Sequence, residues 1–108
     1  AAEGLAMAEK EGIDAGLALE ILSGSAASSW MLKNRGPRMV ADDGAVTSAV
    51  DIFVKDLGLV LDAGRAAKMG LPLAAAAHQL FLAASGLGHG AKDDSRVIET
   101  YRALRAKQ

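Results

Sequence analysis

The sequence predicts an all-α fold, and three observations carry that expectation. Alanine, the strongest helix former, is the commonest residue, at 23 of 108. Apolar residues recur at spacings of three and four rather than alternating. Val, Ile and Thr, which favour strands, are scattered too thinly to build a sheet. The expected architecture is one helical domain over residues 1–108, with about six helices and no sheet.

Taken in order, Ala2 to Glu11 places Leu5 with Ala8 and Met7 with Glu11 on helical spacing, and Gly12 ends it as a C-cap. Asp14 is a good N-cap for Ala15 to Leu22, which stops at Ser23-Gly24. Ser28 to Arg35 forms a third helix, halted by Gly36-Pro37 because proline disfavours helical geometry in the residue before it. A short turn, Arg38 to Ala41, leads into the Asp42-Asp43-Gly44 loop. The longest helix runs from about Ala49 to Met69 and is capped by Gly70. Pro72 suits the first turn of a fifth helix, Leu73 to Ser85. After the glycine-rich "GLGHG", Asp94 or Ser95 caps a sixth helix reaching about Ala106.

Composition narrows the function. A net charge of -1 gives no basic field for nucleic acid or anionic membrane, and 4% aromatic content removes stacking platforms for single strands. There is no cysteine, so neither a disulfide framework nor a thiolate metal site exists, and a cytoplasmic setting is expected. No apolar run reaches membrane-spanning length. The chain opens at Ala1 inside a helical pattern, which suggests a piece of something longer.

Asp51, Lys55, Gly58, Asp62 and Arg65 share one face of the fourth helix, and Phe53, Leu57, Val60, Leu61 and Gly64 form its core stripe. On pattern alone the polar face is a solvated stripe with ion pairs, Asp51 to Lys55 and Asp62 to a neighbour. Gly58 resists that reading, since an interior helical glycine costs about 1 kcal/mol relative to alanine and marks a close approach by helix, backbone or ligand. "GLGHG" follows a helix and lacks the dinucleotide fingerprint's spacing, so a flexible connection is the simpler reading. His78 and His89 have no carboxylates at ligand spacing; His78 reads as a hydrogen-bonded, partly buried histidine, and no metal site is expected. Trp30 reads as a core anchor. Lys33, Asn34, Arg35 and Arg38 read as surface groups that could also receive a carboxylate or phosphate.

"KDLGLVLD", Lys55 to Asp62, resembles the cofactor-contacting motif KDLGxAxD of the β-hydroxyacid dehydrogenase family, with Val60 where alanine is usual. "AMAEKEGID", "SGSAASSWMLKNRGPRM", "LPLAAAAHQLF" and "GLGHGAKDDSRVIETYRAL" fall in the order and spacing of that family's helical C-terminal domain, so the resemblance spans essentially the whole chain. Within the family the likeness is greatest to L-threonate dehydrogenases. The resemblance implies the second half of a two-domain enzyme that oxidises a small hydroxy acid, L-threonate at C2, with NAD. Relatives acting on 3-hydroxyisobutyrate or tartronate semialdehyde share the scaffold.

By the same resemblance, most NAD contacts belong to an N-terminal Rossmann domain. The catalytic lysine would lie upstream of Ala1, so these residues carry no catalytic acid and are inactive alone. Lys55, Asp56 and Gly58 match the cofactor-facing positions of the interdomain cleft. The family often carries an aromatic eight residues before that aspartate; here it is Ser48, and no substrate contact is assigned. A homo-oligomer is expected because apolar surface is left uncovered. A non-catalytic helical interaction module is the competing reading from these residues alone.

Overall fold

A computed structural model describes residues 1–105. Six α-helices follow one another: α1 Ala2–Lys10, α2 Ala15–Ser23, α3 Trp30–Val40, α4 Val50–Ala66, α5 Pro72–Ala84 and α6 Ile98–Leu104. Between α5 and α6 lie a π-helical turn, Ser85–His89, and a 3₁₀ turn, Asp94–Val97. The fold is all-α; the described residues form no strand, and Ala49 and Asp93 meet in one isolated bridge. Ala106, the expected end of the last helix, lies outside the described residues.

The core gathers Ala2, Leu5 and Ala6 of α1 with Met39 of α3 and Val97 and Ile98 at the start of α6. α4 and α5 form an antiparallel pair packed beside it. Their register is set by matched contacts: Asp51 with Ser85, Phe53 stacked on Phe81 at 4.9 Å, Gly58 with His78, and Gly64 with Leu71. The core stripe of α4 holds at Phe53, Leu57, Leu61 and Gly64. Val60 departs from it: at 45% exposure it sits on the stripe's margin, and half-buried Val54 takes the inner place.

Several local expectations are corrected. α3 does not stop at Arg35 but continues through Gly36 and Pro37 to Val40, so Arg38 to Val40 are helical rather than a turn. The clash that keeps residues before proline out of helix involves their Cβ, and Gly36 has none. Its bare surface packs against Leu19, whose side chain a Cβ would overlap. Ser29 caps this helix, its hydroxyl accepting from Leu32 N–H at 3.0 Å. Gly70 does not terminate α4; the helix ends at Ala66 with Ala67 as its C-cap, and Lys68 takes the left-handed position at φ 54°. The turn before α6 is capped by Asp93, not Asp94 or Ser95. Asp14 caps α2 as expected, accepting from Gly16 N–H at 2.9 Å.

Trp30 is no core anchor. It is 68% exposed at the first position of α3, with the Arg35 guanidinium 5.7 Å from its ring centroid. Arg35 and Arg38 are likewise not surface charges awaiting an anion. Arg35 Nε donates to Asp94 Oδ1 at 2.7 Å, and Arg38 lies 3.8 Å from Asp93 Oδ1. Both carboxylates come from the segment just before α6, some 60 residues along the chain, so no local pattern announces them.

Candidate functional site

α4 is positioned by backbone, not by a side-chain cap. Its leading N–H groups at Val50 and Asp51 donate to the carbonyls of Lys92 and Gly90, each at 2.9 Å. Gly90 ends "GLGHG" and Lys92 follows it, and Gly88 within it adopts φ 100° and lets the chain double back onto α4. The segment is therefore an ordered brace for α4. Asp93 holds the other side: Oδ1 accepts from Thr47 N–H and hydroxyl at 2.8 and 2.7 Å, and Oδ2 from Ser95 N–H and hydroxyl at 3.2 and 2.6 Å. Burial opposes its charge, but the four hydrogen bonds prevail and hold the carboxyl well below the usual aspartate range.

On the braced helix, Lys55 is 67% exposed and Asp56 is 54% exposed, with Lys55 Nζ 3.3 Å from Asp56 Oδ1. That pair is open to solvent and worth little by itself, so it can be exchanged for contact with a ligand oxygen. The expected Asp51–Lys55 pair is replaced by Asp51 accepting from Ser85 Oγ at 2.6 Å. Asp62 does find a neighbour, Arg65 at 3.2 Å. Lys55 shares its outward face with Ile52 and Leu59, which are 42% and 60% exposed. Gly58 is half-buried, and a Cβ there would meet only His78 Nε2 at 3.8 Å, an ordinary contact. Packing within the chain therefore does not demand a glycine. An exposed ammonium beside uncovered apolar surface and a bare patch of helix fits a ligand presented from outside the domain.

His78 stands half-buried on α5 beside that patch, without the hydrogen bond expected of it among the described residues. Its place opposite Gly58 comes from the packing of α5 on α4, which no local spacing in the sequence announces. A cavity of about 220 Å³ opens on the core side of α4, lined by Phe53, Phe81, Arg35 and Asp94. It touches none of Lys55, Asp56 and Gly58.

Residues 1–101 match the model of a family described as the NAD-binding domain of NADP-dependent 3-hydroxyisobutyrate dehydrogenase. The chain belongs to this family. Among family relatives, L-threonate dehydrogenase of Cupriavidus necator is 50% identical over 101 residues, covering 94% of this chain and 34% of that protein. L-threonate dehydrogenase of Escherichia coli K12 is 43% identical over 103 residues, covering 95% and 34%. The crystal structure of a 3-hydroxyisobutyrate dehydrogenase from Salmonella typhimurium superposes with a TM-score of 0.88 at 45% identity, over 91% of this chain and 34% of that one. The chain thus spans about a third of the length of these dehydrogenases.

Proposed function

We propose that this chain is the helical C-terminal domain of a longer cytoplasmic dehydrogenase that oxidises L-threonate at C2 with NAD, and that Lys55, Asp56 and Gly58 form this domain's wall of the cofactor cleft. The observation that carries the reading is the exposed Lys55–Gly58 edge of α4 within a member of the 3-hydroxyisobutyrate dehydrogenase family. Identity of 50% to an L-threonate dehydrogenase supports the substrate. The nicotinamide, when bound, supplies the hydride acceptor. The Lys55 ammonium holds cofactor or substrate oxygens as a point charge, and Asp56 beside it limits where the ammonium can settle. Gly58 leaves the helix surface open to close approach, while Ile52 and Leu59 offer an apolar floor that sheds water when covered. Orientation and fixed charge of this kind accelerate a transfer whose proton acceptor lies outside these residues.

In the full-length enzyme, Lys55→Ala is expected to lower kcat/KM by about 100-fold, the scale of one charged contact in a desolvated site, with the melting temperature unchanged. A kinetically silent Lys55→Ala would remove the role given to it. The Salmonella structure supports a second reading, 3-hydroxyisobutyrate as substrate. Steady-state assays against both acids separate the two. We also infer self-association through uncovered apolar side chains, foremost Leu17 and Ile21, four residues apart on α2, and Ile13 just before that helix, at 50–63% exposure.

A further inference from the structure

We propose that His78 is a substrate-contacting residue, hydrogen-bonding a hydroxyl of the hydroxy acid from the same edge that carries Lys55. This rests on the dehydrogenase reading above. Asp51, Lys55 and Gly58 follow one another at four and three residues on α4 and so lie along one side of it. The two that flank Lys55 are both held from that side: Asp51 accepts at 2.6 Å from Ser85, the C-cap of α5, and Gly58 faces His78 Nε2 on α5. Ser85 stands seven residues after His78. Lys55 therefore rises from the rim of the α4–α5 seam between these two contacts. On the facing helix, Leu82 borders the same stretch at 45% exposure, so the seam is open to solvent there.

The two ends of this stretch differ in how they are satisfied. Asp51 and Ser85 satisfy each other, whereas the His78 imidazole has no hydrogen-bond or ion-pair partner among the described residues. Gly58 supplies an independent observation. A methyl group would fit at 3.8 Å from Nε2, so the helical cost of glycine is not explained by the seam's own packing. What the missing side chain does is leave Nε2 uncovered. A neutral imidazole offers one donor and one acceptor. A polyhydroxylated acid presents hydroxyls that can answer either, while its carboxylate suits the point charge of Lys55. The pairing makes His78 a reader of hydroxyl groups.

The test uses the full-length enzyme with His78→Gln, whose amide can reach the position of Nε2, and His78→Leu, which fills the seam without hydrogen bonding. His78→Leu is expected to raise the KM for L-threonate about tenfold, as for one lost hydrogen bond. The KM values for NAD and for 3-hydroxyisobutyrate, which has a single hydroxyl, should stay within twofold. His78→Gln should return the L-threonate KM to within threefold of the unmodified enzyme. An L-threonate KM unmoved by Leu, an equal rise for both acids, a shift in the NAD KM, or failure of both variants to fold would each overturn the inference. If Lys55→Ala is impaired while His78→Leu is not, only His78 is misassigned. An unmodified enzyme that oxidises neither acid sinks the dehydrogenase reading itself.

Discussion

Asp93 gathers a dense set of polar contacts. Its side chain is 2% exposed and accepts four hydrogen bonds, two from Thr47 and two from Ser95. Replacing it with alanine strands those donors and should cost about 3 kcal/mol, measurable by urea denaturation. Because its folded pKa is depressed, its stabilisation is complete above the ordinary aspartate value of about 3.9 and drains away as the pH falls below it. Asp93→Asn should therefore be less stable at pH 7 and show a flatter loss of stability on acidification. Residues of this kind mark the limit of reading a sequence. Lys55, Asp56 and Gly58 stood out because each interrupts an apolar helix, a local signal. Arg35, Arg38 and Trp30 were misplaced because Asp93 and Asp94, which draw the two arginines inward, lie far along the chain.

At the scale of elements, existence and order were legible and the stops were less so. Periodicity and caps such as Asp14 mark where helices run, but proline and glycine are ambiguous stop signs. Gly36 relieves the steric objection to Pro37, and α3 keeps its last turn. The α4–α5 seam offers a sharper contrast between two glycines. A Cβ at Gly64 would stand 2.5 Å from Leu71 Cδ1 and 3.1 Å from the Met69 carbonyl, whereas at Gly58 it meets only His78 at 3.8 Å. Gly64→Ala should destabilise by about 1–2 kcal/mol, overcrowding outweighing the helical gain of alanine. Gly58→Ala should raise thermal stability slightly and lower activity in the full-length enzyme. Paired thermal melts and rate assays on the two variants test whether one glycine serves packing and the other the site.

Across the whole molecule, the two ends of the described chain are fastened together. Arg102 of α6 donates to Glu9 of α1 from Nε at 3.0 Å and Nη2 at 2.9 Å, and to Glu99 at 2.6 Å, while Arg105 donates to the Ala6 carbonyl at 2.9 Å. The Arg102 hydrogen bond pulls Glu9 below the ordinary carboxylate range against the cost of burial, and Glu9 in turn raises Arg102. Away from this clamp, Leu17 and Ile21 of α2 stand exposed. Light scattering of the isolated domain at high concentration should report a species larger than a monomer, and Leu17→Glu should return it to one. A strictly monomeric domain would remove the self-association proposed above.

The brace on α4 bears on charge as well as position. The amino end of a helix can attract an anion only while its leading N–H groups are unengaged. Here the carbonyls of Lys92 and Gly90 have already taken the donors of Val50 and Asp51, and the acid of Asp51 lies in the same turn. The positive pole of α4 is thus spent on the protein itself. Any anionic group brought to this face must find its countercharge in a side chain, and Lys55 is the lysine that stands there.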